Sequence, residues 1–151
     1  MTAGSVCVRD VVIATPEMSI TQVADLMRQY HVGSLVVVDD KAGKNRPVGI
    51  VTDRDLVIEV LAQEVDLKSI TVGDVMSHTL LTATESESLW EVIHRMRAQG
   101  VRRVPVVDDN GSLAGILSVD DLIQLLGDEL NALAGLFGTE QKKEARRRTR
   151  P

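Results

Sequence analysis

Aromatic side chains are almost absent: Phe137, Trp90 and Tyr30 are the whole set in 151 residues. The core must therefore be built from aliphatic residues, and nucleic-acid recognition by stacking bases on aromatic platforms is disfavoured. Cys7 is the single cysteine, which excludes an internal disulfide and any zinc site built on paired cysteines. Long apolar runs are missing too. Residues 35–38 are among the longest aliphatic stretches, far short of the roughly 20 residues a membrane helix needs. The first ten residues lack the roughly 7–15-residue apolar stretch of a secretory signal. These absences predict a cytoplasmic protein with no membrane span.

What is present suits a compact fold, with 44% hydrophobic and 26% charged residues and a formal net charge of −5. The charge is unevenly spread. Residues 139–151 carry Lys142, Lys143, Arg146, Arg147, Arg148 and Arg150 against Glu140 and Glu144, a net of +4 that leaves −9 on the rest. A basic tail on an acidic body offers a surface for nucleic acid, anionic lipid or an acidic partner, although a solvated terminus is the plainer reading. Nucleic-acid binding through that tail ranks last among the functions weighed.

A duplication organises the chain. Residues 32–40 read VGSLVVVDD and residues 101–109 read VRRVPVVDD, at an offset of 69. Residues 49–56 read GIVTDRDL and residues 115–122 read GILSVDDL, at an offset of 66. The three-residue difference falls in a turn, where loop-closure entropy absorbs it cheaply. The expected organisation is a first repeat over 6–64, a linker over 65–71, a second repeat over 72–130, and a helical extension with a basic tail over 131–151.

Each repeat reads β-α-β-β-α, an α/β arrangement. Short strands are expected at 12–14 and 80–82, and helices at 20–30 and 89–99. The helices would bury Ile20, Val23, Ala24 and Met27, or Leu89, Val92, Ile93 and Met96. Ser19 with Gln22, and Ser88 with Glu91, have the spacing of a reciprocal capping box. Strands follow at 34–38 with 47–51 and at 103–107 with 113–117, and a second helix begins after Thr52 or Ser118. So short a repeat buries only about 60% of its unfolded surface. The two are therefore expected to pack about a pseudo-twofold axis, leaving clefts lined by both copies.

The pattern G-h-h-[TS]-x-x-D (h, hydrophobic), downstream of a strand ending in V-V-D, occurs twice in register. It resembles a tandem pair of cystathionine-β-synthase (CBS) domains, a Bateman module, over about residues 6–130. The resemblance implies a free-standing regulatory module, not an enzyme, that binds an adenine nucleotide (AMP, ADP or ATP) or S-adenosylmethionine between the repeats. No obligatory cofactor or metal is implied. A homodimer is expected, with a partner enzyme or transporter as the regulated protein. The alternative is a ligand-independent interaction module.

Thr52 and Asp55, and likewise Ser118 and Asp121, sit where a strand hands over to a helix. A carboxylate there can accept both ribose hydroxyls, and the hydroxyl and helix-start N–H groups can meet phosphate. The same spacing also matches a helix cap. Arg102 and Arg103 are the phosphate candidates; alternation along a strand and the resemblance would send Arg102 toward the Asp121 cleft and Arg103 toward the Asp55 cleft. The first repeat has Gly33 and Ser34 at those places, so Arg54 is the cation that compensates there. Ile13, Val32, Leu81 and Val101 are candidates to sandwich adenine, and equally ordinary core. His31, His78 and His94 lack metal-ligand spacing. Beyond Asp121, Leu122, Leu125, Leu126, Leu130, Leu133, Leu136 and Phe137 form an apolar stripe interrupted by Gly127 and Gly135.

Overall fold

A computed structural model of the chain describes residues 1–41 and 43–148. It forms two compact units, Met1–Leu117 and Ser118–Pro151. Within the first lie two three-stranded sheets of identical order. The first repeat runs β1 (Ile13–Ala14), α2 (Ile20–Tyr30), β2 (Ser34–Asp39), β3 (Arg46–Thr52) and α3 (Asp53–Asp55), after an opening turn of helix, α1 (Ala3–Val6). α3 runs on into a π-helical segment, Leu56–Leu61. The second repeat has α4 (Val72–Val75), β4 (Ala83–Thr84), α5 (Leu89–Gln99), β5 (Arg103–Val107) and β6 (Leu113–Ser118), followed by α6 (Val119–Arg148).

In each sheet the short first strand pairs parallel with the second: Ile13 with Val36, and Ala83 with Val106. β2 and β3 then pair antiparallel from Ser34–Thr52 to Asp39–Arg46, with a shift at Val37/Val38. Leu35, Val36, Val37 and Val38 are all buried. Since successive residues face opposite sides of a strand, this sheet is covered on both faces. Leu35, Val37 and Val51 form one core with Val23 and Met27 of α2.

α2 and α5 have the expected bounds, but their faces need one correction. Ala24 is exposed, and Leu26 packs on the core in its place. The Ser19–Gln22 capping box forms, with each side chain accepting the other's backbone N–H at 3.2 and 2.9 Å. The Ser88–Glu91 box does not: the Ser88 side chain makes no cap bond. There the Leu89 N–H, an orphan donor of the helix start, reaches the Met1 carbonyl at 3.3 Å. The early strand of the second repeat also lies later than expected, at Ala83–Thr84 rather than 80–82.

The leading segments are exchanged between repeats. The Ala3 and Gly4 N–H groups donate to the Glu87 and Glu85 carbonyls, both at 2.9 Å, and Val8 and Ile116 exchange N–H···O bonds of 2.9 Å. Reciprocally, Val72 and Gly73 donate to Met18 and Pro16 at 3.0 and 2.9 Å, and Ser77 donates to Ile50 at 2.9 Å. Residues 1–9 thus complete the second sheet, and residues 71–77 complete the first. Arg9 reinforces the first crossing, with Nη1 2.6 Å from Glu85 Oε1 and Nη2 donating to the Gly4 carbonyl at 2.8 Å. That hydrogen bond, donated to Glu85, holds the Arg9 guanidinium above its ordinary pKa.

Candidate functional site

The turn from β3 into α3 is built around Thr52. Its extended backbone makes it the helix N-cap, and its hydroxyl accepts the Asp55 N–H at 3.2 Å. Asp55 Oδ2 answers by accepting the Thr52 N–H and the Thr52 hydroxyl, each at 2.8 Å. This capping box fixes the Asp55 rotamer and occupies one oxygen. Among the described residues, Oδ1 accepts no bond, so the carboxylate keeps an acceptor free for another molecule.

Opening from this corner is a hollow of about 500 Å³, a size that suits a small organic ligand. Thr52, Arg54 and Asp55 of the first repeat border it on one side, and Arg102 and Arg103 of the second on the other. Ile50, Leu80, Leu81 and Val101 give it an apolar floor. Three arginines and two aspartates, Asp53 and Asp55, therefore line one hollow. Among the described residues the side chains of Arg54 and Arg103 make no hydrogen bond or ion pair.

Arg102, expected to lean toward the Asp121 side, borders this hollow together with Arg103. The alternation rule does not reach it, because Arg102 lies in a bend and β5 starts only at Arg103. Asp53 is not among the ligand contacts expected from sequence. Its N–H donates to the Gly33 carbonyl at 3.0 Å, and a Cβ at Gly33 would lie 3.1 Å from Asp53 Oδ2. The first repeat carries Gly33 where the second carries Arg102, and the exposed Asp53 carboxylate beside it is the neighbour a larger residue would have to displace. At the 66-residue offset Arg54 corresponds to Asp120, so the two motifs differ in charge at that position.

Ser118 and Asp121 repeat the cap at the start of α6. The Asp121 N–H donates to Ser118 Oγ at 3.2 Å, and the Ser118 hydroxyl donates to the Asp121 carboxylate in a short bond. Ile13 and Val32 lie away from the Asp55 hollow, in a second depression with Tyr30. His78 and His94 are exposed, and His31 caps α2 in a left-handed conformation. Among the described residues no group of three His, Cys, Asp or Glu side chains is placed to hold a metal. Cys7 is half-buried, and burial raises its thiol pKa.

Comparison with known proteins places this geometry. The CBS domain model matches twice, at residues 3–62 and 72–128. An uncharacterized protein of Methanopyrus kandleri, MK0525, is 37% identical over 125 residues, 83% of this chain. The chain spans 62% of that relative's length. The CBS domain pair of protein MJ0100, solved in complex with 5′-methylthioadenosine and S-adenosyl-L-methionine, superposes with a TM-score of 0.73 at 26% identity, covering 85% of this chain and 98% of that one. The CBS domain protein PAE2072 from Pyrobaculum aerophilum, complexed with AMP, gives 0.71 at 28% identity, over 81% and 90% of the two chains. Two repeats of one fold, each completed by the other's leading segment and each matched by the same family model, make this chain a tandem member of the CBS domain family.

Proposed function

We propose that the chain is a cytoplasmic regulatory module that binds an adenine nucleotide in the Thr52–Asp55 hollow and catalyses nothing. The observation that carries this reading is the opposition of Asp55, with one oxygen committed to the cap and one available, to Arg102 and Arg103 across about 500 Å³. A ribose diol matches the carboxylate, an adenine ring matches the aliphatic floor, and phosphate matches the guanidinium groups through charge-assisted, bidentate hydrogen bonds. The hydroxyls of Thr52 and Ser118 are tied into caps, which suits positioning rather than nucleophilic chemistry. The two structural relatives solved with AMP and with adenosyl compounds support the ligand class.

Among adenosyl ligands the reading favours AMP, ADP or ATP over S-adenosylmethionine, whose sulfonium would enter a field of three arginines. In a thermal-denaturation series the nucleotides should raise the melting temperature more than S-adenosylmethionine does. Ligand at a hundred times its Kd adds about 2.7 kcal/mol of stability. Arg103→Ala should lose the nucleotide shift while keeping any shift given by adenosine. An unmoved transition with all four compounds at millimolar concentration would refute the site. Ser118 and Asp121 remain the proposed diol contacts of a second site. A homodimer that docks on a partner enzyme or transporter completes the reading. The exposed stripe of α6 favours a second one, an interaction module acting without ligand.

A further inference from the structure

The α6 helix extends for 30 residues without a break, about 45 Å at 1.5 Å per residue. Ile123, Leu126, Leu130, Leu133 and Phe137 follow one another along it at steps of three, four, three and four. That is the a/d spacing of a coiled-coil seam. Ile123, Leu130, Leu133 and Phe137 are 64%, 66%, 57% and 70% exposed, so the seam is presented rather than used.

Charge along the same helix says what covers it. Residues 119–130 carry Asp120, Asp121, Asp128 and Glu129 and no basic residue. Residues 138–148 carry Lys142, Lys143, Arg146, Arg147 and Arg148 against Glu140 and Glu144. A parallel pair of such helices sets like charge beside like charge at both ends. An antiparallel pair sets the acidic end against the basic one.

We propose that α6 pairs antiparallel with α6 of a second copy of this chain, Leu130 of one copy packing on Leu133 of the other and Leu126 on Phe137. In an antiparallel seam an a position faces a d position, and this register obeys that rule through its four central layers. It also brings Lys142 and Lys143 level with Asp121 and Asp120 of the other copy. The apolar layers end where Ile123 comes level with Glu140, at the rim. The leucines and phenylalanine supply the dry centre and the terminal charges the polar rim of an interface. This rests on the homodimer of the functional reading and is independent of a nucleotide in the Thr52–Asp55 hollow, which α6 does not line.

Sedimentation velocity on the full chain tests it. The wild type should sediment as a dimer, and the Leu130→Glu, Leu133→Glu double variant at half that mass, with its circular dichroism and nucleotide-induced shift retained. Orientation is read in a Cys7→Ser background. Chains carrying Leu126→Cys should crosslink to chains carrying Phe137→Cys, and neither should crosslink to itself. A double variant that stays dimeric, or a Leu126→Cys chain that crosslinks to itself, overturns the seam without touching the nucleotide site. So does a monomeric wild type that sediments with anionic vesicles through the same leucines. A lost nucleotide shift in a chain that still dimerises refutes only the ligand reading.

Discussion

At Asp108 one carboxylate oxygen accepts two backbone amides, from Asn110 at 2.8 Å and Ser112 at 2.9 Å, and so shapes the turn between β5 and β6. The Ser112 bond is the main cause holding this carboxyl below its ordinary pKa. A depressed folded-state pKa gives stability that is fully present above the unfolded value, near 3.9, and is lost as pH falls through the folded one. Asp108→Asn should therefore lower the melting temperature at pH 7, and the gap to wild type should shrink at pH 3. A gap independent of pH would remove the charge from the account. His31 and Gly100 hold matching caps in the left-handed region, at φ 54° and 65°. Only the glycine adopts that backbone without a Cβ penalty, so His31→Gly should stabilise by about 1 kcal/mol in denaturant titrations. The Thr52–Asp55 pairing was legible from spacing alone. The direction of Arg102 was not legible in the same way, because it lies in a bend just before β5 starts at Arg103, where strand alternation gives no rule.

Among the elements, β3 and β6 explain the glycine that opens both motifs. A Cβ at Gly49 would lie 2.6 Å from Met76 Sδ and 2.8 Å from the Ser77 carbonyl. At Gly115 it would lie 2.5 Å from Cys7 Sγ and 2.8 Å from the Val8 carbonyl. These are the points where the exchanged segments hydrogen-bond to the strands, so the motif glycine answers to a backbone crossing rather than to a ligand. Gly49→Ala and Gly115→Ala should each cost about 1–3 kcal/mol by overpacking, measured as a fall in urea midpoint with unchanged slope. Full stability in either variant would mean that the crossing yields easily. Element type and order followed from hydrophobic period and repetition, and α2 and α5 were legible to the residue. The Ser88 box, expected from the same spacing, does not form; at that helix start the Leu89 N–H instead finds an acceptor at Met1, far away in sequence. Gly127 and Gly135 interrupt the apolar stripe but not the helix, and α6 runs through both. A glycine costs about 1 kcal/mol in a helix interior, too little to stop one rich in leucine and alanine.

For the molecule as a whole, sequence repeat and structural repeat are not the same set of residues. Truncation of residues 1–9 should speed hydrogen exchange at Ile116 and Leu89, whose N–H groups donate to Val8 and Met1, and leave Asp53, bonded to Gly33, unchanged. Equal acceleration at Asp53 would show that the two sheets unfold as one. This exchange was illegible because a duplicated sequence fixes what each copy forms, not which copy its first segment joins. The family resemblance and the α/β architecture were legible, since both rest on patterns that recur in register. The exchanged ends also bear on synthesis. Residues 1–9 are made before the strand they join, and Arg9 Nη1 bonds to the Ala114 carbonyl, 105 residues downstream. Residues 1–9 find their place only once the strand near Ile116 has been made, a contact across more than 100 residues of the kind that raises contact order and slows folding.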